Sequence, residues 1–162
     1  MATRRRKTWR EKLADDKNLP KVEPIAEGMR KSWGEGTFVI AAPREVDALM
    51  RQVPPGQLTT INQLREALAR RHGATVACPI TTGIFAWVAA HAAEETLAAE
   101  PGATVTPWWR TLKLGGRLNP KYPGGTAEQA RRLQAEGHRI TVGRGKDSLR
   151  VAEFESHLAA LS

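Results

Sequence analysis

Two helix signals separated by a short turn containing glycine constrain this chain most. Thr60, with Gln63 three residues later, fits a capping box, and Ile61, Leu64 and Leu68 follow as one inner helical face. Gly73 stands where that helix needs a left-handed residue to stop. A second helix is predicted from around Pro79 to about Ala99, with Ile80, Ile84, Trp87 and Val88 on one side. Two helices joined this way form the helix-turn-helix pattern. In that layout the segment from Pro79 is the recognition helix, entering a DNA groove by its N-terminal residues. Its first turns carry Ile80, Thr81, Thr82 and Gly83, small and uncharged; they permit close approach but read bases poorly. The same spacing also suits a three-helix core with no ligand. The expected fold class is mostly α with small β-hairpins, a winged-helix-like helix-turn-helix domain.

The flanks extend this plan. Thr37-Phe38-Val39-Ile40 suits a strand or extended lead-in, and Pro43 stands at a first helical position. Val46, Leu49, Met50 and Val53 then form an apolar stripe that Pro54-Pro55-Gly56 stops. Residues 1–35 read as a basic arm: Met1 to Lys31 hold ten basic and five acidic side chains, +5 of the total +8. A short helix from Thr8 to Lys17 is expected there, either lying on the domain or mobile. The core domain is expected over 36–137. Residues 138–162 read as an extension, with a hairpin around Gly143-Arg144-Gly145-Lys146 and a last helix burying Phe154, Leu158 and Leu161.

Twenty-five Lys and Arg against seventeen Asp and Glu favour a polyanionic partner, nucleic acid first. No apolar run is long enough for a membrane span, and the basic start has no apolar stretch behind it, so no secretory signal is expected. Cys78 is the lone cysteine, which points to a reduced, cytoplasmic setting (nucleoid-associated in a bacterium). The four histidines and Cys78 lack metal-ligand spacing, so neither metal nor cofactor is expected.

After Pro101-Gly102 the texture changes. Pro107-Trp108-Trp109-Arg110, Gly115-Gly116 and Asn119-Pro120-Lys121-Tyr122-Pro123-Gly124-Gly125 make a shaped loop surface. Thr126 with Gln129 repeats the capping-box spacing before a helix that ends at Glu136-Gly137. From about Glu45 to Gly137 the order of these pieces resembles the DNA-binding domain of the alkylguanine-DNA alkyltransferase family. Val53-Pro54-Pro55-Gly56-Gln57-Leu58-Thr59-Thr60 is similar to its Ile-Pro-x-Gly-x-Val-x-Thr opening. Pro107-Trp108-Trp109-Arg110 stands where the family has Pro-Cys-His-Arg. Tyr122-Pro123-Gly124-Gly125 resembles its Tyr-Ser-Gly-Gly turn, and Leu133 to Gly137 its Leu-x-x-Glu-Gly ending.

In that family the cysteine takes the alkyl group from guanine O-6, activated by the histidine through water and the glutamate. Here the resemblance puts Trp108 at the nucleophile and Trp109 at the base, with Glu136 as the glutamate. An indole is no nucleophile at neutral pH and has no lone pair for proton abstraction. The resemblance therefore implies a non-enzymatic member of the alkyltransferase-like branch. Such a protein binds alkylated guanine by base flipping and hands it to nucleotide excision repair proteins. The implied lesion pocket is Trp108, Trp109, Tyr122, Pro123 and Gly124. The expected contacts to double-stranded DNA, made by a monomer, are Thr59, Thr60, Ile80, Thr81, Thr82, Gly83, Arg110, Lys113, Arg117 and Lys121. Two departures bear on flipping: Ile61 replaces a family tyrosine, and the base-displacing arginine falls near Ile80 or Thr81, where an apolar wedge is the substitute. Three alternatives stand beside this reading. One is a helix-turn-helix DNA binder without lesion preference. Another is an active alkyltransferase using Cys78, whose thiol sits at a helix N-terminus without a histidine near it in sequence. The third is a protein-interaction module.

Overall fold

In the computed structural model, which describes residues 5–145 and 148–162, the first helix is α1, Trp9–Ala14. Thr8 caps it: its hydroxyl accepts from Glu11 N–H at 3.1 Å, and the Glu11 carboxylate accepts from Thr8 N–H. The helix stops earlier than the expected Lys17, because Asp15 leaves the helical conformation with an extended backbone, and Lys17 and Asn18 then turn the chain at φ 52° and 63°. Residues 1–4 of the expected arm, and Lys146 in the hairpin turn, lie outside the described residues.

Strand β1 (Lys21–Pro24) follows, then α2 (Arg30–Trp33) and β2 (Thr37–Ile40). β1 pairs antiparallel with β2, Lys21 opposite Ile40 and Pro24 opposite Thr37. α3 (Pro43–Arg51) has its proline in the first turn and buries Val46, Leu49 and Met50. β3 is only Thr59–Thr60, and α4 (Ile61–His72) begins immediately after it. The Thr60 hydroxyl accepts from Gln63 N–H at 3.2 Å, and Gly73 closes the helix at φ 62°. β4 (Val76–Ala77) lies parallel to β2 and leads into α5 (Pro79–Ala99).

α5 packs by the expected face only in part: Val88 is buried and Trp87 half-buried, but the face is rotated toward the alanines. Phe85, Ala86, Ala89, Ala90 and Ala93 are buried, whereas Ile80 is 65% and Ile84 45% exposed. Alanines let neighbouring helices approach closely, so the small side chains point inward. The first core gathers this face with α3, α4, Val39, Trp108 and Tyr122.

Beyond α5 the chain makes a 3₁₀ turn at Trp108–Arg110, then β5 (Thr111–Leu112), which pairs parallel with β3. α6 (Gly125–Ala135) follows the Tyr122-Pro123-Gly124-Gly125 turn. Thr126 does not cap it. Gly124, at φ 77°, turns the chain into the helix, while Gln129 is fully buried. The Gln129 amide accepts from Asn119 N–H at 2.8 Å and donates to the Trp109 and Thr111 carbonyls.

β6 (Ile140–Val142) and β7 (Leu149–Val151) form the expected antiparallel hairpin. The last helix is not formed as expected. A 3₁₀ turn covers Phe154–His157, and the chain then runs extended beside Leu58, whose N–H donates to His157 O and whose carbonyl accepts from Ala159 N–H, both at 2.8 Å. Ser162 is held by Gln52. Leu58 therefore has a backbone partner that a helix would have withdrawn. A second core of Leu58, Leu112, Leu118, Ala130, Leu133 and Val151 joins α6 to the hairpin, and Trp109 packs against both cores. Among the described residues no helix is long and apolar enough to cross a membrane, and no cluster of three potential metal ligands occurs.

Candidate nucleic-acid interface

The head of α5 presents its groove-facing candidates unequally. Ile80 and Ile84, one turn apart, stand outward, and Thr81 and Gly83 are half-buried between them. Thr82 is turned inward, its hydroxyl donating to Cys78 O at 2.7 Å. Thr59 and Thr60 are also buried; the Thr59 hydroxyl donates to Gln63 Oε1 at 2.9 Å while Thr60 caps α4. These three threonines were expected at DNA, but their hydroxyls are bonded within the fold. The turn angle between α4 and α5 is braced by Arg65, whose Nε donates to Ala77 O at 2.9 Å. Cys78 is buried, and its hydrogen bonds run through its backbone to Val39 and Thr82.

Behind α5 lies an aromatic cage. Trp108 is fully buried with its Nε1–H donating to Glu94 at 3.0 Å. Trp109 and Tyr122 meet it edge-on, with ring centroids 5.8 and 5.4 Å away, so the sequence-expected pocket aromatics do come together. The Arg132 guanidinium lies 4.9 Å from the Trp108 ring centroid and pairs with Glu94 at 2.8 Å. Pro123 and Gly124 form the turn beside Tyr122, Pro123 half-buried and Gly124 exposed. The Tyr122 hydroxyl is buried without a hydrogen bond of full geometry among the described residues; burial pushes its phenol pKa far up, and the nearby Asn119 side chain offsets this only in part.

Glu136 is the polar hub. It accepts from Trp109 Nε1–H at 2.7 Å, from Gly56 N–H at 3.0 Å, and from Arg110 through Nε and Nη2, the latter at 2.8 Å. Arg110 Nη1 donates to Val53 O at 2.8 Å. Burial raises the Glu136 carboxyl pKa, but the Arg110 guanidinium and the Gly56 and Trp109 N–H groups outweigh it and hold the carboxyl below its ordinary value. Arg110, expected at phosphate, is instead committed inward: its side chain is 11% exposed. The cage consequently offers indole donors and an ionised, fully engaged carboxylate. An indole has no lone pair for proton abstraction, and the carboxylate oxygens are taken up by Gly56, Trp109 and Arg110.

Lys113, Arg117 and Lys121 carry no side-chain partner among the described residues; Arg117 and Lys121 are exposed and Lys113 half-buried. The Lys121 carbonyl meets His91 Nε2 at 3.1 Å, which ties α5 to the loop before Tyr122. His91 was not singled out in the sequence, and neither was Trp9, which stacks on it at 4.5 Å between centroids. The signal available for Trp9 was Thr8-Trp9-Arg10-Glu11, a capping box. Glu94 and Arg132 carried no local signal, since their partners lie on other elements.

Together these features define a helix-turn-helix domain of the DNA-binding kind, with an aromatic and carboxylate cage behind its second helix. The model of the 6-O-methylguanine DNA methyltransferase DNA-binding domain matches residues 41–138, and the chain belongs to that family. No curated protein sequence matches significantly. Among solved structures, the chain is similar to S. pombe Atl1 in complex with damaged DNA containing O6-carboxymethylguanine, at 17% identity and a TM-score of 0.47. It is also similar to S. pombe ATL in complex with DNA, at 18% identity and a TM-score of 0.49. Each alignment covers 73% of this chain and 94% of the other.

Proposed function

We propose that this chain binds duplex DNA through the head of α5 and senses alkylated guanine without removing the alkyl group, flagging the lesion for excision repair proteins. One observation carries the reading: the tryptophan that the resemblance aligns with the family's histidine gives its Nε1–H to Glu136 at 2.7 Å. A donor there leaves no base to activate a nucleophile, and the residue aligned with the cysteine is the buried Trp108. Cys78, the alternative nucleophile, is buried and has no side-chain hydrogen bond among the described residues. The family's DNA-binding domain, matched over residues 41–138, supports DNA as the partner class. In this reading Ile80 and Ile84 supply the wedge, and Lys113, Arg117 and Lys121 contact phosphate.

The test is binding to O6-methylguanine duplex against unmodified duplex, with intact mass recorded after incubation. The expected result is tighter binding to the modified duplex and an unchanged protein mass. A gain of about 14 Da, one methyl for a hydrogen, refutes the non-enzymatic part. A second reading, a DNA binder without lesion preference, is favoured by the burial of the cage: Trp108 is fully buried and Tyr122 is 2% exposed. Equal affinity for the two duplexes supports it.

A further inference from the structure

Two clefts among the described residues are lined by α1 and α5, and neither includes the Trp108 cage. The smaller, about 220 Å³, gathers Arg10, Arg44 and Arg51, but each already faces a carboxylate: Glu95, Asp16 and Asp47. The larger, about 280 Å³, lies between α1 and α5. Its walls are Trp9, Trp87, Phe85 and Ile84, and its rim carries Lys7, Lys12 and Lys17 with Asp15 as the single acid. Ile84 belongs to the exposed face that Ile80 begins, so this lysine rim continues the outer surface of the recognition helix.

Two contacts hold the rim in place. The Glu95 carboxylate on α5 accepts from Trp9 N–H at 2.9 Å and Arg10 N–H at 3.1 Å, which satisfies the open end of α1. Trp9 stacks on His91 and meets Trp87 edge-on at 4.8 Å. The other contact of its ring is Lys12 Nζ, 4.3 Å from the centroid. With His91 and Lys12 against it, Trp9 works as an anchor and not as a platform for a nucleobase. What the cleft presents outward is ammonium groups: Lys12 and Lys17 without an acidic partner among the described residues, and Lys7 shared with Asp15 at 2.5 Å. That chemistry fits phosphate oxygens along a strand, not a stacked base.

We infer that α1 is a phosphate-contacting rail fixed to the recognition helix, with Lys7, Lys12 and Lys17 gripping the DNA backbone beside the groove that α5 enters. The inference rests on the proposed reading of α5 and adds a surface outside the matched residues 41–138. Its test is the salt dependence of binding to unmodified duplex by the full chain, followed by anisotropy. Replacing all three lysines by glutamine is expected to make the slope of log affinity against log salt shallower by about 2–3, at about 0.9 per phosphate contact. Replacing them by arginine is expected to restore the slope. Asp15→Asn is expected to tighten binding. Trp9→Ala, which frees the rail while keeping its lysines, is expected to flatten the slope in part. Ile80→Asp separates the two ideas. Loss of binding in Ile80→Asp with an unchanged slope in the triple glutamine variant overturns the rail alone. Unchanged binding in both overturns the rail together with the reading of α5. A flattened slope in the triple variant with loss of binding in Ile80→Asp supports the rail, and a flattened slope with unchanged binding in Ile80→Asp overturns its placement beside α5.

Discussion

Replacing Glu136 by glutamine removes one charge and leaves the side-chain shape almost unchanged, so its cost is worked from the contacts. The carboxylate receives two donors of Arg110, the Trp109 indole and the Gly56 N–H. Glutamine has one acceptor oxygen and brings two N–H donors of its own. At least one of the existing donors is then left facing an NH₂ group, and the Arg110 charge, 11% exposed, loses its counter-ion. Breaking a buried pair from one side costs about 3–5 kcal/mol. For a chain of this length that is a fall in Tm of roughly 6–20 °C. Urea unfolding measures it directly. The pH dependence supplies a second check: the folded pKa of Glu136 lies below its ordinary value, so its stabilisation is complete above that ordinary value and is lost as pH falls through the folded one. The gap between wild type and Glu136→Gln is therefore expected to shrink in acid, below about pH 4. A cost under about 1 kcal/mol, or a gap constant down to pH 3, refutes the hub assignment.

Four further outcomes follow from single sites. Gly124→Ala is expected to destabilise by about 1–3 kcal/mol, since the backbone sits at φ 77° and an added Cβ meets Glu128 Cβ at 2.6 Å; thermal unfolding checks it. Glu128, held by Arg131 and Arg132, is expected to titrate at about 2 in NMR, and a value near 4 removes both pairs from the solution structure. His138 is buried with Nε2 unbonded, and burial with the nearby His157 lowers its pKa. Stability is therefore expected to rise with pH up to about 6.5, where the unfolded His138 has lost its proton. His157→Ala is expected to move the His138 titration upward in NMR.

What the sequence revealed were the features carried by near neighbours. The Thr60 cap, Gly73, the α3 stripe, β2 and the hairpin each rest on residues a few positions apart, and all appear in the structure. The face of α5 was misread in part because large apolar residues are the usual core signal, whereas here alanines set the packing distance. The last helix was misread because Leu58, nearly a hundred positions earlier, takes the backbone of the C-terminal segment. The same distance hid the docking of α1, whose cap is completed by Glu95. At the cage, residue types were legible and their engagement was not. Arg110 reads as a free cation until Glu136 and the Val53 carbonyl are seen beside it.

Tyr122 separates the two functional readings most cleanly, because one atom bears on both. Its hydroxyl is buried with no hydrogen bond of full geometry among the described residues, only the Asn119 side chain lying near it, which costs the free protein up to roughly 1–3 kcal/mol relative to a well-paired group. Tyr122→Phe removes that atom and keeps the ring against Trp108, so the free protein is expected to gain about 1 kcal/mol in urea unfolding. A core gives up stability in this way when the polar group serves a ligand. If a flipped alkylguanine enters beside Trp108, the hydroxyl finds its partner there, worth about 0.5–1.5 kcal/mol. Tyr122→Phe is then expected to weaken binding to alkylguanine duplex about 2- to 12-fold and to leave unmodified duplex unchanged. The two effects have opposite signs, and a fold defect cannot imitate them. Loss of stability in Tyr122→Phe refutes the unpaired hydroxyl. A gain in stability with equal affinities for both duplexes leaves the hydroxyl unused by DNA, and the lesion-sensing reading then gives way to general DNA binding.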